Sequence, residues 1–145
     1  MSVPLPKTLI TVVEHVHNCD LCNLLESEHT NIERLENLIA EMKRWPFERD
    51  KANVSYVASR KINQLMIKFL QTPEETSLMV AMEAILRNVK QLHLELDLWL
   101  AQNIYFAVGK KFYHEKRQQI QENENARKWV AYFDSLGEIL RVRIV

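Results

Sequence analysis

Glycine and proline supply most of the chemistry of tight turns, and this chain has only 2 of the former and 4 of the latter in 145 residues. With 47% of the residues hydrophobic, there is ample material for a core but little for the frequent reversals of a sheet. The scarcity of breakers therefore predicts an all-α fold, a compact bundle of five or six amphipathic helices. A chain of this length buries roughly 70% of the surface it would expose unfolded, enough for one domain over residues 1–145 without a disulfide staple. No repeat or low-complexity linker divides it.

The remaining punctuation places the helices. After Pro4 and Pro6, Leu9, Val12, Val13 and Val16 share a narrow arc with Leu24, which predicts a first helix over about residues 7–26 with that arc inward. Asp20 falls in the middle of the arc, and the expectation is a carboxylate paired inside the bundle. Thr30 and Glu33 form a capping box before Ile32, Leu35, Leu38, Ile39 and Met42, and Pro46 stops that helix. Asp50 can cap a third helix carrying Val54, Val57, Ala58, Ile62, Leu65, Met66 and Phe69. In "QTPEE", Thr72 reads as an N-cap, Pro73 as the first helical residue and Glu75 as the box partner. Leu78, Met82, Ile85, Leu86, Val89 and Leu92 follow. Asp97 can cap a fifth helix whose first turns are apolar almost all round, the mark of a central element. "KRQQIQENENAR" reads as a solvated end and loop. A last helix buries Trp129, Val130, Phe133, Leu136 and Leu140, and "RVRIV" ends the chain as a frayed terminus or a short strand.

Charge narrows the classes of partner. Lys plus Arg and Asp plus Glu each number 19, so no net field draws the chain to nucleic acid or to an anionic membrane. No apolar run is long enough to span a bilayer. The expectations are a cytoplasmic protein with neither nucleic acid nor membrane as partner. "YFAVGKKFYHEKR" mixes aromatics with bases, but its helical spacing makes Tyr105, Phe106, Phe112 and Tyr113 core and rim. No Gly-rich phosphate loop, nucleophile elbow or HExxH motif appears, so no catalytic residue is assigned and no cofactor is expected.

"EHVHNCDLCNLLESEH", residues 14–29, holds both cysteines and three of the five histidines. At helical spacing His15, Cys19 and Cys22 project to one side, where a metal would see all three. A closed zinc site takes a fourth ligand, and Cys-x-x-Cys pairs that bind zinc commonly lie on tight turns. The residues read as ordinary helix positions, with metal binding by His15, Cys19 and Cys22 the alternative. "DLWLAQN" carries Trp99, Gln102 and Asn103, an indole and two amides on an apolar helix. Buried amides need partners, so these either bridge helices or face a ligand or another domain.

The order of segments resembles a known pattern. "LPKTL" and "VVEHVHNCDL", then "LENLIAEMKRW", "SYVASRKINQLM", a "PEE" helix start, "LELDLWLAQNIYF" and "WVAYFDSLGEILRVRI" are similar to the C-terminal helical domain that follows the catalytic domain in a group of family 57 glycoside hydrolases. The likeness runs over about residues 4–145, and Leu98, Trp99, Gln102 and Asn103 are its most specific piece. It implies a non-catalytic accessory domain that packs on a catalytic domain and helps shape a sugar cleft, with α-glucan contact. Glycan- or domain-facing residues would be Trp99, Gln102 and Asn103, then Trp45 and Tyr105. The two cysteines and His17 depart from that pattern, and the catalytic carboxylates have no place in 145 residues. The alternative is a free-standing helical interaction or scaffolding module.

Overall fold

Each long run of helical periodicity in the sequence forms a helix. The computed structural model describes residues 6–44 and 51–144, and in them the helices are α1 (Lys7–Glu26), α2 (Ile32–Arg44), α3 (Lys51–Gln71), α4 (Thr76–Lys90), α5 (Trp99–Gln118) and α6 (Glu124–Leu140). No strand occurs among the described residues. Trp45, Pro46 and Asp50, read as a glycan- or domain-facing candidate, a helix stop and a cap, lie outside them.

The core follows the predicted faces of α3 and α6 residue for residue. Val54, Val57, Ala58, Ile62, Leu65, Met66 and Phe69 of α3 are buried, as are Trp129, Val130, Phe133, Leu136 and Leu140 of α6. The centre, however, is α3 and α4 rather than α5. Helix α3 packs against α1, α4 and α5, and α4 against α2, α3 and α6, whereas α5 meets only α3 and α6. Helix α5 is apolar almost all round in its first turns yet peripheral, and Trp99, Leu100 and Phe106 of its outer side remain exposed.

Helix α1 turns the other way from its sequence reading. Its buried residues are His17, Leu21, Cys22, Leu24 and Leu25, and the predicted inward arc points outward along the first three turns. Leu9, Val12 and Val16 are 49%, 58% and 48% exposed. Asp20 shares that outward side and is exposed, so the carboxylate needs no partner in the bundle. Four valines and leucines near the start of the helix define the arc, but α2 and α3 cover the side that carries His17, Leu21 and Leu25, and of the predicted arc only Leu24 is buried with them.

Two helix starts differ from their predicted caps, and the C-terminal tail differs from its predicted ending. Asn31, not Thr30, caps α2 by accepting the Arg34 N–H at 3.1 Å. Thr72 closes α3 instead of opening α4, since its hydroxyl donates to the Lys68 carbonyl at 2.9 Å. Residues 72–75 then make one turn, with the Glu75 N–H donating to the Thr72 carbonyl at 3.0 Å, and α4 begins at Thr76. At the end of α6, Arg141 adopts a left-handed conformation (φ 60°, ψ 42°). The Val142 N–H donates to the Gly137 carbonyl at 3.0 Å and the Arg141 N–H to the Glu138 carbonyl at 3.3 Å, the paired bonds of a Schellman ending. A side chain in that conformation costs about 1 kcal/mol, so the tail is held neither as a frayed end nor as a strand but by this turn. Ile144 lies back against Gly109 of α5.

Two cations and an indole tie the ends of helices to the middle. Lys61 of α3 is buried and donates to the Ser27 and Glu28 carbonyls at 2.7 and 3.2 Å, satisfying the C-terminal end of α1. Burial, then the nearby charge of Lys68, lowers its pKa, and Glu28 acts in the opposite direction. Trp129 of α6 donates its indole N–H to the Pro73 carbonyl at 2.6 Å, and Lys116 pairs with Glu74 at 2.6 Å beside it. The turn between α3 and α4 is therefore fastened to α5 and α6.

Candidate functional site

The sequence-predicted residues on α5 do not converge. Asp97 receives the Trp99 N–H at 3.3 Å, which starts the helix and sends the Trp99 indole outward, 70% exposed. Asn103 is exposed too, but its amide donates to the Trp99 carbonyl one turn back at 2.7 Å. Gln102 is half-buried and donates to the Leu140 carbonyl at 2.8 Å. That bond bridges α5 to the last turn of α6, so Gln102 takes the interhelical role rather than a ligand-facing one. Tyr105 cannot face a glycan or a domain. It is 2% exposed, stacks on Phe133 with ring centroids 4.1 Å apart, and donates its hydroxyl to the Phe133 carbonyl at 2.8 Å. Burial pushes its phenol well above the usual tyrosine range, so it stays a neutral donor. Among the described candidates Trp99 keeps an available aromatic face, with Leu100 exposed beside it.

His15 and Cys19 do meet, with Nε2 3.6 Å from Sγ, and Cys22 lines the same pocket. Among the described residues no three His, Cys, Asp or Glu side chains are placed to hold a metal ion.

Two surfaces escaped the sequence reading. One is the outward row Leu9, Val12 and Val16 on α1, which has the 3 and 4 spacing of a helix seam and stays exposed, with no helix among the described residues covering it. The other is an open groove of about 870 Å³ between α3 and the segment that enters α5. Tyr56, Arg60, Asn63 and Ile67 of α3 form one wall, and His93, Glu95 and Asp97 the other. Its shape follows from "LELDL": Leu94, Leu96 and Leu98 pack on the core, which leaves Glu95 and Asp97 exposed. The Asp97 N–H donates to Ser59 Oγ at 3.0 Å and fixes the segment on α3. The period-2 alternation of those five residues was the available signal for an extended segment. Lys51 and Arg60 face Glu95 and Asp97 within the groove, so it offers both signs of charge to a ligand.

Among the described residues no helix is long and apolar enough to cross a membrane. Compared with family models, with curated proteins and with solved structures, the chain matches none.

Proposed function

We propose that this chain is a non-catalytic helical docking domain, which engages a larger protein through the outward apolar row of α1. The observation that carries the reading is the exposure of Leu9, Val12 and Val16 on one stripe of a helix whose other side is buried. Isolated exposed apolar residues are ordinary, but three in a row over successive turns make a continuous strip that water solvates poorly. Covering such a strip contributes roughly 25 cal/mol for each Å² removed from water. An accessory domain of a glycoside hydrolase and a free-standing scaffold would both use the strip in this way, and they differ in whether the partner is covalently attached.

A photoreactive amino acid at Val12, introduced in the source cells, tests the reading. The expected result is one discrete crosslinked product whose yield collapses when Val16 is replaced by Asp. A diffuse smear, or the same product from a photoreactive group at the exposed Lys128 of α6, would overturn it.

The exposed indole of Trp99 supports a second reading, in which the domain also touches the sugar of a family 57-like enzyme. A flat aromatic face holds a sugar ring through C–H contacts with the π system. Titration with linear α-glucans is then expected to show saturable binding at sub-millimolar concentration, weakened roughly tenfold or more by Trp99→Ala, a loss of at least about 1.4 kcal/mol. Absence of saturation would remove the sugar contact and leave the docking row untouched.

A further inference from the structure

Helix α1 sets two thiols one turn apart at the rim of an open surface pocket. Cys19 is exposed, Cys22 is 9% exposed, and neither is bridged. One turn before Cys19, His15 brings Nε2 to 3.6 Å from its sulfur. From the first turn of α3, Asn53 directs its amide to Cys22 Sγ at 3.7 Å. The pocket between them has a volume of about 460 Å³ and is lined also by Thr11, Glu14, Asn18 and Asn23. Asn18 Oδ1 is buried and finds no donor among the described residues. Amides, a hydroxyl and the Glu14 carboxylate around two thiols suit a ligand that is itself peptidic and carries both sulfur and an amino group.

We propose that this pocket is a thiol-exchange site for a small peptidic disulfide of the oxidised glutathione type. Cys19 is the attacking thiol, because it is reachable from solvent and has an imidazole beside its sulfur. Its proton passes to His15 Nε2 as the sulfur attacks the disulfide. The S–S bond of the ligand breaks, one peptide thiolate leaves and takes up that proton, and Cys19 carries the other half as a mixed disulfide. Cys22 then gives its proton to solvent and attacks the Cys19 sulfur, which releases the second half as a thiolate that is protonated in turn. In sum the protein loses two hydrogens to form a Cys19–Cys22 bridge, and one disulfide is reduced to two thiols.

Helix geometry makes the bridge reversible. Residues three apart on a helix have Cβ atoms about 5 to 6 Å apart, more than the ~4 Å a disulfide prefers. Helix α1 must therefore give locally, and a bridge held against such strain is more easily reduced. An accessible first thiol with a recessed second thiol one turn on is also the arrangement that lets a mixed disulfide resolve before a second ligand arrives. This assignment stands independently of the docking row.

The test is intact-mass spectrometry of the fully reduced chain after exposure to oxidised glutathione. The wild type is expected to end two hydrogens lighter with no adduct. Cys22→Ser is expected to accumulate one glutathione on residue 19, and Cys19→Ser to remain unmodified over the same time. In the Cys22→Ser background, His15→Gln is expected to slow adduct formation by roughly tenfold or more. A wild type that keeps its adduct as Cys22→Ser does, or a Cys19→Ser variant that reacts as fast as wild type, overturns the exchange site. An unchanged rate in His15→Gln overturns the role of the imidazole.

Discussion

Replacing Trp129 with Ala is expected to remove about 3 to 5 kcal/mol of stability, the upper range for truncating a buried aromatic. Trp129 is fully buried on α6 and stacks on Phe133 with centroids 4.7 Å apart, and Phe133 in turn stacks on Tyr105. The three rings make a continuous pile between α5 and α6. The same indole fastens the turn between α3 and α4 through the Pro73 carbonyl, with Lys116 above its ring at 5.9 Å. Truncation opens a cavity, unstacks Phe133 and releases the turn at once. Trp129→Phe keeps most of the apolar volume but loses the hydrogen bond, so about 1 to 2 kcal/mol is expected from it. Urea unfolding of the three proteins separates these terms. A loss below about 1 kcal/mol for the alanine variant would mean that the pile is not a principal support of the fold.

The second large effect is a reversal of sign at Gly137. Helix propensity alone predicts that Gly→Ala inside α6 stabilises by about 1 kcal/mol. Packing predicts the opposite, because a Cβ at Gly137 would land on the Tyr105 hydroxyl and come within 3.0 Å of the Val142 carbonyl oxygen. The hydroxyl is held by its bond to the Phe133 carbonyl and by the ring stack, so it has little room to yield. Gly137→Ala is therefore expected to cost a net ~1 to 2 kcal/mol, overpacking exceeding propensity. Tyr105→Phe removes the atom that is hit. In a double-mutant cycle the Gly137→Ala substitution is expected to cost less in the Tyr105→Phe background, by about 1 kcal/mol. Additive losses would show that the hydroxyl and the glycine are not in contact. Gly109 differs, because what a Cβ there meets first is the end of the Ile144 side chain, which can rotate away.

Much of this architecture was legible in the sequence because helices write their periodicity locally. The faces of α3 and α6 could be read off because each has a neighbour along its whole length, so every apolar position on the stripe is covered. Helix α1 has no such cover over its first turns. Its strongest apolar arc belongs to an outer surface, and periodicity cannot tell a core stripe from a docking stripe. Caps were misplaced by one and by three residues for a related reason. Thr30 and Asn31 both qualify as caps, and Thr72 can close one helix or open the next, so the choice rests on tertiary geometry. The candidate site was least legible. Tyr105 and Gln102 had the right chemistry for a ligand but bond inside the protein, exposed Asn103 bonds back to its own helix, and the groove lies beside the non-helical segment 94–98.

The outward row of α1 carries the proposed function, and its freedom in the isolated domain can be measured directly. The measurement is the unfolding free energy of the Val12→Asp, Val16→Asp double variant beside the wild type. A row exposed as the fold places it should tolerate two carboxylates with a change within about 0.5 kcal/mol for each site. A loss of more than about 3 kcal/mol would mean that the row is packed against the bundle, and the docking surface would not exist.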